Sequence, residues 1–163
     1  MSAQSLYIKN RHRGYSLMEI IIASAMLTAL TVLTVTTFAD FRARKARDAA
    51  TVQVLAVLNR AYLDTITSKN DLVYGVQLRT SDYILFSGST APASDTAPSV
   101  ILRESLSAGT EIANISLTGG GSYIYFQRLT GSTLQNGTFD IRVKGKTTIS
   151  TTATISKTGA VAI

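Results

Sequence analysis

The sequence predicts an α+β protein in which one long N-terminal helix, membrane-spanning in its first half, packs on a C-terminal antiparallel β domain. Three observations carry this reading. Residues Ile20 to Ala39, IIIASAMLTALTVLTVTTFA, hold no charge, glycine or proline. No Gly or Pro occurs between Tyr15 and Tyr74, and from about Leu72 the hydrophobic period changes from helical to alternating. At 163 residues there is room for about one ordinary domain beside the helix. The mean hydropathy of +0.20 is high for a soluble domain, and the apolar excess is concentrated near the N-terminus.

Twenty uncharged residues at a rise of about 1.5 Å match a hydrocarbon core of roughly 30 Å, so Ile20 to Ala39 suffices to span a bilayer. A buried core helix is the alternative, but such helices seldom run so far without a polar face. A cleavable secretory signal is another, since Ala23-Ser24-Ala25 imitates its cleavage site. Against it, the apolar stretch before that point is short, contains Glu19, and continues unbroken beyond. Lys9, Arg11 and Arg13 precede the segment, while Arg42, Arg44, Lys45 and Arg47 follow it, offset by Asp40 and Asp48. Charge bias therefore leaves the orientation open.

Helical periodicity continues past the apolar run. Val52, Leu55, Leu58, Tyr62 and Ile66 recur at spacings of three and four, widened by Val54, Ala61 and Leu63, while Gln53, Asn59, Arg60 and Asp64 fall largely elsewhere. One helix of about fifty residues, on the order of 80 Å, is expected, apolar all round in its first half and amphipathic in its second. The amphipathic stripe needs a sheet to pack on.

That sheet begins with VYGVQL (Val73 to Leu78) and YILFS (Tyr83 to Ser87), which flank Arg79-Thr80-Ser81-Asp82 and read as a hairpin. Gly88 to Ser99 holds both prolines of the chain and reads as an exposed loop. VILRES, EIANISL, SYIYFQ, TFDIRVK, TTISTTATIS and AVAI follow as strands separated by Gly-containing turns. In Thr138 to Lys144, Phe139, Ile141 and Val143 alternate with Asp140, Arg142 and Lys144, the pattern of a strand with one buried face. The Thr-rich segment keeps β-propensity with little hydrophobicity, which suits an exposed or edge strand. The expected organisation is thus a short basic segment at 1–14, a membrane helix at 15–39, its amphipathic continuation at 40–70, and a β domain at 71–163.

Several chemistries lack residues. There is no cysteine for a disulfide or a thiolate metal site, and the single histidine, His12, lies in the short basic segment. The acids beyond the helix's apolar half are scattered, and Gly119-Gly120-Gly121 is followed by neither a lysine nor a helix pattern, so it is no phosphate loop. With Ser and Thr lacking any recognisable base, no catalytic residue, metal ligand or cofactor site is identified, and the chain reads as a non-enzyme.

The stretch RHRGYSLMEIIIASAM (Arg11 to Met26) explains that segment. A short basic segment ending in Gly14, then Tyr15, Ser16, Leu17, Met18, Glu19 and a run of aliphatics, resembles the processing site of type IV pilins and type II secretion pseudopilins. Tyr15 stands where Phe is common, and Met18 where an aliphatic residue is usual. The resemblance implies a pilin-like fold and cleavage after Gly14 by a membrane prepilin peptidase, with N-methylation of the new terminus at Tyr15. It further implies a cytoplasmic leader, an inner-membrane helix, an extracytoplasmic β domain, and assembly with other subunits on an inner-membrane platform. An ionised carboxylate in hydrocarbon calls for a partner. The resemblance supplies one for Glu19, the Tyr15 amine of a neighbouring subunit, while solvation of Glu19 by headgroups is the alternative. From about Thr51 onward the chain resembles, more diffusely, the H-type minor pseudopilins and FimT-type minor pilins. It lacks paired C-terminal cysteines and has no Asp or Glu after Asp140, so the calcium site of major pseudopilins has no ligands here.

Nucleic-acid binding is the rival from another class. The formal charge is +6, but three of the cations belong to the leader. If the last alternating strand runs on through Gly145, then Arg142, Lys144 and Lys146 share a face that Arg128 and Lys157 could extend into a phosphate-binding patch. A solvated outer face that protects against edge aggregation gives the same pattern, and the chain ends in uncharged Gly159-Ala160-Val161-Ala162-Ile163.

Overall fold

The computed structural model describes residues 15–163, apart from the side chains of Val35 and Thr36. The leader, including Gly14, lies outside the described residues. Contacts divide the chain into two units that meet between Ala39 and Asp40. Helix α1 (Leu17–Ile66) begins in the first unit and ends in the second.

In the first unit the helix is uninterrupted from Leu17 to Ala39, and every described side chain is exposed. Its hydroxyls turn inward. Thr28 donates to the Ser24 carbonyl at 2.7 Å, Thr31 to Leu27 at 2.8 Å, Thr34 to Leu30 at 2.8 Å and Thr37 to Leu33 at 3.0 Å. Such back-bonding can bend a helix, yet no break in the helix accompanies it. It also leaves no hydroxyl among these four unsatisfied, which suits an apolar surrounding.

In the second unit α1 stops at Ile66, short of the expected residue 70. Ser68, Asn70 and Asp71 take left-handed backbone conformations, which a helix cannot continue through, and a 3₁₀ turn (Lys69–Asp71) redirects the chain. Eight strands follow: β1 (Tyr74–Leu78), β2 (Asp82–Ser87), β3 (Val100–Ser105), β4 (Thr110–Leu117), β5 (Tyr123–Tyr125), β6 (Gly137–Val143), β7 (Lys146–Ile155) and β8 (Val161–Ala162). They form two antiparallel sheets of order β3-β2-β1-β5 and β4-β6-β7-β8. The expected first hairpin is present, with Leu78 opposite Tyr83. The Thr-rich strand β7 is largely exposed as expected and is an edge over most of its length, the two-residue β8 covering only Thr154 and Ile155 at its end.

The loop between β2 and β3 is less free than its composition suggests. Asp95 within it bridges Arg79 at 2.6 Å and Arg103 at 2.7 Å, and Arg103 also donates to buried Asp82 at 2.7 Å. Asp82 is therefore a buried carboxylate compensated at its own strand end.

One core joins the helix to both sheets. Ala50, Val54, Val57, Leu58 and Ala61 of α1 pack with Val76, Leu85, Ile124 and Phe126 of the first sheet region and with Ile112, Phe139, Ile141 and Ile155 of the second. The buried face of the helix keeps Val54, Leu58 and Ala61 of the expected stripe but is shifted at its edges. Val52 and Leu63, placed in the stripe on hydrophobicity, are 66% and 57% exposed, while Ala50, Thr51, Val57 and Thr65 are buried. Small residues face the sheets because they let the helix approach closely. Thr65 is admitted because its hydroxyl donates to the Ala61 carbonyl at 2.8 Å and accepts the Tyr74 N–H at 2.9 Å, so no polar atom is stranded.

Candidate functional site

The N-terminal end of α1 is built for a carboxylate. The Ser16 carbonyl accepts the Glu19 and Ile20 N–H groups at 3.0 and 3.2 Å, so the helix starts at once and Glu19 occupies its first turn. Unpaired N–H groups and the helix dipole favour negative charge there. Tyr15, just ahead of the helix, and Glu19 line a shallow groove together with Ala23 and Leu27. Between Tyr15 and Phe41 the sequence contains no Lys, Arg or His. Any cation for Glu19 within that stretch must come from a chain terminus or another molecule.

The basic residues of the second unit are not arranged as the sequence suggested. Strand β6 ends at Val143 and Lys144-Gly145 forms a two-residue turn, with Val143 opposite Lys146. The strand therefore does not run on through Gly145, and Arg142, Lys144 and Lys146 do not form one continuous strand face. Arg142 donates to Glu111 at 2.7 Å, Lys146 to Asp40 at 2.5 Å, and Arg128 to Asp71 at 2.6 Å. Lys144 sits exposed at the turn. Among the described residues no three of His, Cys, Asp or Glu are grouped so as to hold a metal ion.

Two crystal forms of the type IV minor pilin FimU from Pseudomonas aeruginosa resemble this architecture. One superposes with a TM-score of 0.56 at 18% identity, over 76% of this chain and 91% of that one. The other gives 0.51 at 18% identity, over 71% and 90%. The chain has the pilin fold. No protein-family model and no curated protein matches it, so the likeness rests on three-dimensional arrangement.

Within this pilin fold, some polar pairs escaped the sequence because their partners are far apart in the chain. Lys146 and Asp40 are one such pair. The Asp40 carboxyl is held below the usual range by that hydrogen bond and by the Lys146 charge. Tyr83 and Glu104 are another. Tyr83 is 2% exposed, and its hydroxyl donates to Glu104 at 2.6 Å. Burial first, then the hydrogen bond and the Glu104 charge, push the phenol well above its ordinary value. A group whose pKa is raised on folding contributes stability that is present below its unfolded value, about 10, and is lost as pH rises above it. Thermal melts between about pH 8 and 11 are expected to lose stability with rising pH, and Tyr83→Phe to flatten that slope. An unchanged slope in the variant would contradict the assignment.

Proposed function

We propose that the chain is a minor structural subunit of a type IV pilus or a type II secretion pseudopilus, acting by assembly and not by catalysis. One conjunction carries this reading: the pilin fold occurs in a chain whose apolar helix is preceded by Gly14-Tyr15 and opened by Glu19. In the proposed course, a prepilin peptidase cuts after Gly14 and methylates the Tyr15 amine. The helix anchors the protein in the inner membrane with the β domain outside the cytoplasm, and an assembly platform then draws it into a filament. The freed amine supplies the cation that the helix itself lacks. Staggered subunits pair that amine with a neighbour's Glu19, which partly neutralises both charges in the apolar filament core. FimU, of the same fold, is itself a minor pilin, which supports the minor role.

The alternative, a DNA-binding subunit active in uptake, is the weaker reading. It rests on Arg142, Lys144 and Lys146, of which Arg142 and Lys146 are engaged by carboxylates. From Thr51 onward nine Lys and Arg face seven Asp and Glu, a weak field for drawing in a polyanion.

Co-expression with a prepilin peptidase tests the first step. Intact mass and N-terminal peptide sequencing are expected to give a chain beginning with methylated Tyr15. A chain beginning at Met26 would instead establish a cleaved signal peptide and remove the basis for assembly through α1.

A further inference from the structure

The turn between β6 and β7 lies beside Asp40, and Asp40 is the first charged residue after the apolar run. Lys146 Nζ reaches Asp40 Oδ1 at 2.5 Å across 106 positions of sequence. If Ile20 to Ala39 crosses a bilayer, chain continuity puts Asp40 where the helix emerges, and the ion pair brings the hairpin tip to the same depth. Between them opens a cleft of about 470 Å³ lined by Asp40, Arg44, Lys146, Thr147 and Thr148. Among the described residues, the side chains of Arg44, Thr147 and Thr148 make no hydrogen bond, while Asp40, the one carboxylate of the cleft, is hydrogen-bonded to Lys146 and interacts with Arg44 through charge alone. The cleft thus offers a guanidinium and two hydroxyls, with Lys144 exposed at the adjoining turn. From Asp40 to Asp48 together with the turn, six cations stand against two carboxylates.

We propose that this cleft and the Lys144-Gly145 turn bind the phosphates of anionic phospholipids in the leaflet from which α1 emerges, seating the β domain on the membrane before the subunit enters a filament. The assignment rests on reading 20–39 as a membrane span. Lipid fits better than duplex nucleic acid for two reasons. Covalent continuity delivers this surface to headgroups without any search, and a duplex approaching it would meet the negative bilayer beside it. Juxtamembrane cations gain from an anionic surface only within about a Debye length, and the ion pair holds the tip within that reach.

The test uses the full chain in nanodiscs of phosphatidylcholine, or of the same lipid with about a third replaced by phosphatidylglycerol, read by backbone hydrogen exchange. Peptides covering Lys144 to Ile149 are expected to exchange about fivefold more slowly or better in the anionic discs, while the Thr118–Gly121 turn, at the opposite end of β4, stays unchanged. Arg44→Gln combined with Lys144→Gln, which removes both charges without adding a carboxylate to compete for Lys146, is expected to abolish the difference, as is high salt. Flotation with vesicles separates the two layers of the argument. A chain that fails to float overturns both the span and the headgroup site. One that floats but exchanges identically in both lipids overturns the headgroup site alone. Protection of the same peptides by duplex DNA at physiological salt, without a lipid effect, would assign the surface to nucleic acid instead.

Discussion

Replacing Glu19 by alanine is expected to cut incorporation into filaments by about two to three orders of magnitude or more while leaving the β domain folded. Removing one member of a buried ion pair strands the other charge, at a cost of about 3–5 kcal/mol, and each 1.4 kcal/mol is about a tenfold change in an equilibrium. In the proposed filament the stranded group is the Tyr15 amine of a neighbouring subunit. Glu19 lies in the first unit of the chain, whereas the core of the β domain is drawn wholly from the second, so folding has no reason to change. Membrane insertion should persist, because the variant only lengthens the apolar run. Sheared filaments quantified for the variant subunit, with vesicle flotation and near-ultraviolet circular dichroism in detergent as controls, separate these effects. Normal assembly of Glu19→Ala would mean that the carboxylate is solvated at the interface and sets no register.

The elements of the fold were legible because each announces itself locally. The absence of Gly and Pro permits one helix from Leu17 to Ile66, and the alternation of Phe139 and Ile141 with Asp140 and Arg142 marks a strand with one buried face. The phase of the helix was less legible. Apolar spacing places Val54, Leu58 and Ala61 on the buried face, but it also takes in Val52 and Leu63, which are exposed, and passes over small or polar Ala50, Thr51 and Thr65, which are buried. At the candidate sites the limit was different. Tyr15 and Glu19 are a local pattern and can be read directly. The fates of Arg142 and Lys146 depend on Glu111 and Asp40, distant in sequence and brought near only by the sheet register and the β6–β7 turn.

The contacts of Gly159 were equally invisible, and they set a large stability effect for a single methyl group. Gly159 ends the turn between β7 and β8 at φ +83°, with its N–H donated to the Ser156 carbonyl at 3.0 Å. A Cβ there would lie 2.1 Å from the Gly131 carbonyl oxygen and 3.0 Å from the Tyr62 ring. That ring is fixed from another side by Phe126, edge-on at 5.6 Å between centroids, and neither it nor the Gly131 backbone has an easy way to yield. Gly159→Ala therefore combines a left-handed backbone penalty of about 1–2 kcal/mol with an overpacking cost of about 1–3 kcal/mol. Gly120 provides the control. It also has positive φ, at +72°, but a Cβ there meets nothing within 4 Å, so Gly120→Ala carries the backbone penalty alone. Thermal melts of the full chain in detergent, followed by near-ultraviolet circular dichroism, are expected to fall by on the order of 10 °C for Gly159→Ala and by only a few degrees for Gly120→Ala. Equal shifts in the two variants would show that the β7–β8 turn does not press on Gly131 and Tyr62, and that the C-terminal strand is held to the helix by other contacts.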